Sequence, residues 1–219
     1  MDKFLNRQDA GIALAAHLKA YANRPNVIAL ALPRGGVPVA YEVATALTIP
    51  LDIMIVRKLG VPGHAELAMG AIASGGTVIF NEPLIQQLHL NQASIDAVLQ
   101  AEQQELERRE HLYRGNRRFP ELLGKTVILI DDGIATGSTM HAAVKALRKH
   151  KPATILIAVP VAPRLQAKDM GTLVDKLICV QDAVNFNAVG NWYEDFTQVA
   201  DSEVTELLAK ANSPPPYQA

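Results

Sequence analysis

Cysteine is nearly missing: Cys179 is the single one among 219 residues, which excludes an internal disulfide framework and any zinc site built from several thiolates. Long apolar runs are missing too. The longest, Ala153 to Ala162, is broken by Pro160 and reaches about half the length a bilayer crossing needs. There is no surplus of charge: 21 basic against 22 acidic side chains leave −1, so a large positive field for holding nucleic acid is excluded, while a small local anion site is not. The six histidines show no paired metal-ligand spacing. The start, Met1-Asp2-Lys3-Phe4, lacks a basic patch followed by an apolar stretch, so no secretory signal is expected. These absences point to a protein of the cytoplasm that needs neither membrane nor nucleic acid. With 49% apolar and 20% charged residues the chain can bury a core. Its length suits one substantial domain, 1–212, with an inserted hairpin and long helix at about 70–118 and a disordered Pro-rich tail over 213–219.

What is present is a rhythm of short apolar runs and amphipathic stretches. The runs Val27–Leu32, Asp52–Val56, Thr126–Ile130, Ala153–Val161 and Lys176–Val180 read as strands. Val37–Leu47, Gly137–His150 and Arg164–Leu173 read as helices between them. This alternation predicts an α/β fold: an open, mostly parallel, twisted sheet with helices on both faces. Leu59 to His64, with two glycines and a proline, is expected to interrupt both kinds of element and to be mobile. Gly70–Phe80 can form a hairpin around Gly75-Gly76. Asn91–Arg118 predicts one long, mostly solvated helix with a thin stripe of Ile95, Leu99, Glu102, Leu106 and Tyr113. Its Glu105/Arg109 and Glu110/Arg114 stand at ion-pair spacing.

One segment carries most of the chemistry: Val127-Ile128-Leu129-Ile130-Asp131-Asp132-Gly133-Ile134-Ala135-Thr136-Gly137-Ser138-Thr139. A buried strand delivers two acids, and a turn of small and hydroxyl residues opens a helix. Unpaired N–H groups at that helix start, with the Thr136, Ser138 and Thr139 hydroxyls, make an anion site of phosphate size. Gly133 and Gly137 allow close approach of the backbone. Carboxylates at Asp131 and Asp132 would repel a phosphate but suit hydroxyl donors, so the pattern asks for a phosphorylated sugar. No Walker lysine and no dinucleotide fingerprint accompany it.

At these residues the chain resembles the type I phosphoribosyltransferases, whose signature is an apolar strand, two acids and a Thr-Gly-Ser/Thr phosphate loop. The resemblance extends over roughly Val27 to Val180. It implies the type I fold, with a hood built from inserted and terminal segments, and transfer of phosphoribose from 5-phosphoribosyl 1-diphosphate, with magnesium, to a nitrogen base or the reverse. It assigns substrate contacts to Gly133, Ile134, Ala135, Thr136, Gly137, Ser138 and Thr139. It further implies diphosphate-holding backbone at Arg34-Gly35-Gly36, often with an unusual cis peptide, and catalytic roles for Asp131, Asp132, Arg57 and Lys58. Phe186 and Trp192, in a faintly hypoxanthine-type segment, are the candidates for stacking on the base. Magnesium is expected to arrive with the substrate, and no protein ligand for it is assigned. The resemblance also suggests a homodimer. A regulator that binds the same ligand without turnover is the alternative.

Overall fold

A strand that is apolar along almost its whole length must be covered on both sides, and three such strands, Val27–Ala31, Thr126–Ile130 and Thr154–Pro163, set the architecture here. The computed structural model describes residues 3–184 and 186–213, so the expected tail lies, from 214 on, outside the described residues. The elements run α1 (Arg7–His17), β1 (Val27–Ala31), α2 (Gly36–Leu47), β2 (Leu51–Ile53), β3 (Val56–Val61), β4 (His64–Ala73), β5 (Thr77–Phe80), α3 (Glu82–Gln87), α4 (Gln92–Arg114), β6 (Thr126–Ile130), α5 (Ser138–Lys149), β7 (Thr154–Pro163), α6 (Arg164–Gly171), β8 (Lys176–Ala183) and α7 (Asp201–Asn212). No helix among the described residues is long and apolar enough to cross a membrane.

The main sheet is parallel throughout, in the order β2-β1-β6-β7-β8. Side chains alternate across it with period two. Ala29, Ala31, Ile128, Ile130, Leu156 and Ala158 join a core with α1, α2 and α7, whereas Ile28, Leu30, Val127, Leu129, Ile155 and Ile157 join a second core with α5. Each fully buried Leu or Ile is worth about 1.5–3 kcal/mol relative to exposure. This is the open α/β sheet with helices on both faces that the alternation predicts.

The expected strand Asp52–Val56 is divided. The chain leaves the main sheet after Ile53 and enters a second, antiparallel sheet, β3-β4-β5, which lies between α4 and α5. The expected break at Leu59–His64 is likewise corrected: Leu59, Gly60 and Val61 belong to β3, a turn at Pro62-Gly63 follows, and His64 opens β4. Leu59 and Val61 are buried in the core shared with α4, and register irregularities on either side of Gly60 accommodate the glycine inside the strand.

The long helix α4 ends at Arg114, four residues before the expected end, and caps its start with Asn91 accepting from the Ser94 N–H at 2.8 Å. Both expected ion pairs form. Arg114, however, is not solvated. Its guanidinium, 2% exposed, donates to the Asp52 carboxylate, the Ile53 carbonyl and Glu110, each at 2.9 Å. This pair fastens α4 to the end of β2.

Arg114→Ala should therefore destabilise the fold by about 3–5 kcal/mol in denaturant unfolding, because it strands the Asp52 carboxylate in the core. Arg108→Ala, which removes an exposed partner of Glu105, should change stability by less than about 1 kcal/mol. Equal effects would contradict this account of how α4 is held.

Candidate functional site

In this strand order the connection from β1 runs through α2 to one side and that from β6 runs through α5 to the other. The loops after β1 and β6 therefore part above the carboxyl ends of the strands and leave a crevice. Two of the chemistry-bearing segments picked out from sequence lie at its two lips.

The lip after β1 contains the cis peptide Pro33–Arg34. Gly35 and Gly36 press against the opposite lip. A Cβ at Gly35 would overlap the Asp132 carboxylate, and one at Gly36 would come 2.8 Å from the Ile130 carbonyl oxygen. The two lips thus meet backbone to acid, and glycine is required at both positions for space.

At the lip after β6, Asp131 accepts the Asp132 N–H through Oδ1 at 2.9 Å. Burial, reinforced by the charge of Asp132, pushes the Asp131 carboxyl well above the ordinary carboxylate range. Burial also raises Asp132, against the downward pull of Arg7. The Arg7 Nε donates to Asp132 Oδ2 at 2.8 Å, with both side chains nearly sealed, at 11% and 14% exposure. Arg7 also donates to the Thr197 carbonyl at 2.8 Å and lies 3.9 Å over the Phe196 ring. The Tyr193 hydroxyl donates to the Asp132 carbonyl at 2.6 Å.

The turn beyond the acids encloses a small cavity of about 170 Å³, lined by Asp131, Gly133, Ile134, Ala135, Thr136, Gly137, Ser138, Thr139, Met140 and Val189. Gly137 precedes α5 with φ +74°, a left-handed conformation that glycine adopts without strain, and offers no capping side chain; the Ser138 N–H makes one long contact, 3.5 Å, to the Thr136 hydroxyl. The first N–H groups of α5 are therefore available to an anion. The hydroxyls of Thr136 and Ser138 stand 3.3 Å apart at its rim, and Gln166 holds the Thr136 carbonyl at 2.7 Å. Of the two acids only Asp131 lines this cavity, since Asp132 is turned to Arg7.

The cations singled out from sequence lie on different elements and have different partners. Arg34 stands 3.5 Å from Asp201 at the start of α7, and Asp201 accepts the Tyr113 hydroxyl of α4 at 2.5 Å. Burial and that hydrogen bond push the Tyr113 phenol up to about 12, so it stays a donor. Arg57 on β3 is held by Glu102 of α4 at 2.6 Å. Lys58 lies in a separate cleft that also contacts Thr136 and Ser138. Phe186 and Trp192 are partly buried against the cluster of Phe4, Ala10, Val161, Ala183 and Tyr193.

Arg7, Tyr193, Glu102 and Asp201 were not singled out as site residues from the sequence. Arg7 had a local signal: Asn6 caps α1 by accepting the Asp9 N–H at 3.0 Å, and Asp9 accepts the Leu5 N–H at 3.1 Å, the reciprocal pattern of a helix start. That it reaches Asp132 had none, because the contact depends on Phe4 pairing with Trp192 and Glu194 at the far end of the chain.

The model of the family described as the phosphoribosyl transferase domain matches residues 2–195. Two Mycobacterium tuberculosis proteins, from strains CDC 1551 and H37Rv and provisionally named phosphoribosyl transferases, are each 42% identical over 213 residues, which is 97% of this chain and 48% of theirs. The chain thus spans about half the length of the curated relatives it matches. The crystal structure of TT1426 from Thermus thermophilus is 33% identical, covers 95% of this chain and 98% of its own, and superposes with a TM-score of 0.83. With the family model matching residues 2–195 and the open α/β fold in place, the chain belongs to the phosphoribosyl transferase domain family.

Proposed function

We propose that the crevice holds 5-phosphoribosyl 1-diphosphate with magnesium and transfers the phosphoribosyl group between diphosphate and a ring nitrogen of a base. The observation that carries this reading is the cavity beyond β6, which the start of α5, the Thr136 and Ser138 residues and Asp131 line together in a space large enough for a phosphate. The 5′-phosphate would take the α5 amides with Thr136, Ser138 and Thr139. A ribose hydroxyl would donate to Asp131, and Asp132, with Oδ2 held by Arg7, offers its other oxygen.

In the transfer the bond from the anomeric carbon to diphosphate oxygen breaks and the bond to base nitrogen forms. Positive charge develops on the sugar ring and negative charge on diphosphate. Catalysis would be positioning and electrostatics. The acids face the cationic ring, while the Arg34-Gly35-Gly36 backbone and the Arg34, Arg57 and Lys58 side chains face the leaving group. To reach it, Arg34 and Arg57 would exchange Asp201 and Glu102 for diphosphate oxygens. The base would stack on Phe186 or Trp192.

No three His, Cys, Asp or Glu side chains among the described residues group closely enough to hold a metal by themselves. The oxygen donors at the crevice, Asp131 above all, are nevertheless hard ligands of the kind magnesium prefers alongside phosphate oxygens and water. Bound with diphosphate, magnesium would neutralise its charge.

A second reading, a sensor that binds the ligand without turnover, is favoured by the closure of both arginines onto carboxylates. A panel of purines, pyrimidines and orotate, followed for diphosphate release, decides between the two. Release with one of them supports the transferase; tight binding of the phosphoribosyl diphosphate with silence across the panel supports the sensor.

Asp131→Asn separates fold from site. In calorimetry it should cost at least about tenfold in affinity for the phosphoribosyl diphosphate, the worth of one charge-assisted hydrogen bond. Unchanged affinity would reject the assignment. Because the folded state raises the Asp131 pKa, native protein holds its proton more tightly than unfolded chain, and the stability this contributes at low pH is lost as pH rises through the raised value. The same variant should therefore raise the melting temperature at neutral pH. The gain should shrink on acidification towards pH 4.

A further inference from the structure

Thr136 and Ser138 line two spaces, the small cavity at the start of α5 and a larger cleft of about 750 Å³ between the β3-β4-β5 sheet and the first turns of α5. β3 and β4 contribute Lys58 and Glu66 to this cleft, and α5 contributes His141 and Lys145. Neither lysine has a carboxylate partner among the described residues, in contrast to Arg34 and Arg57. Burial and the nearby Lys145 charge lower the His141 pKa, so it meets the cleft as a neutral imidazole. Two lysines face the single carboxylate of Glu66, beside the positive end of α5, and the balance is cationic. Helical side chains lean towards the N-terminus. Lys145, about 10 Å along the axis from Ser138, therefore leads its ammonium back towards the turn.

We infer that this cleft is a second anion subsite, which takes a phosphoryl group joined to the 5′-phosphate through an anhydride bond. The inference rests on the phosphoribosyl reading above and extends its ligand class to riboses with a 5′-diphosphate or longer chain. In this arrangement the first phosphate occupies the α5 amides, and the second reaches over the rim formed by the Thr136 and Ser138 hydroxyls to Lys145. The half-buried Phe80 and Ile79 provide an apolar wall beyond it.

Calorimetry on the full chain with ribose 5-phosphate and ribose 5-diphosphate tests this. The diphosphate should bind at least about tenfold more tightly. Lys145→Ala should remove most of that gain while leaving ribose 5-phosphate within about twofold, and Lys145→Arg should keep it. Equal binding of the two sugars, or a gain that survives Lys145→Ala, overturns the subsite and leaves the phosphoribosyl reading standing. Failure of both sugars to bind overturns that reading and the subsite with it.

Discussion

Two adjacent carboxyl groups at the tip of a strand buried on both faces are denied water and repel one another, and the surrounding structure is organised around that constraint. Burial raises both pKa values. A buried charge costs free energy unless it is paired and hydrogen-bonded, so the tip collects partners from distant parts of the chain. These are Arg7 from the first helix, a backbone N–H from its own turn, and the Tyr193 hydroxyl on the Asp132 carbonyl. The pairing of Phe4 with the segment after Trp192 positions both Arg7 and Tyr193. A local electrostatic demand thereby ties together the two ends of the described chain.

The same logic divides the two acids. Asp132 is engaged by a guanidinium, whereas Asp131 lines the cavity and, among the described residues, accepts from a backbone donor alone. Around them, Arg34 and Arg57 are satisfied by Asp201 and Glu102, carboxylates supplied by α7 and α4. Opposite charges are thus stored in pairs that a polyanionic ligand can enter by exchange rather than by creating uncompensated charge. The acids weaken the fold at neutral pH in the direction their raised pKa values require.

Much of this was legible in the sequence because it is local. Strands buried on both faces announce themselves as apolar runs, and the Asp131–Thr139 segment states its geometry in consecutive residues. Where tertiary burial overrides local preference, the reading departs from the structure. Gly60 and Pro62 read as a break, yet Leu59 and Val61 find a core against α4 and hold the strand through Gly60. Arg114 reads as the solvated end of a charged helix, yet Asp52, some sixty residues earlier, takes it into the interior. The ion pairs along α4 follow from spacing alone, while the partners of Arg34, Arg57 and Asp132 lie 45 or more residues away and leave no periodic trace.

The most direct measurement is a carbon-13 NMR titration of the aspartate carboxyl groups, with and without the phosphoribosyl diphosphate. The account predicts that Asp131 titrates above the ordinary carboxylate range in the free protein, and that ligand shifts its resonance together with the amides of Thr136 to Thr139. An Asp131 carboxyl that titrates normally and does not respond to the ligand would contradict it.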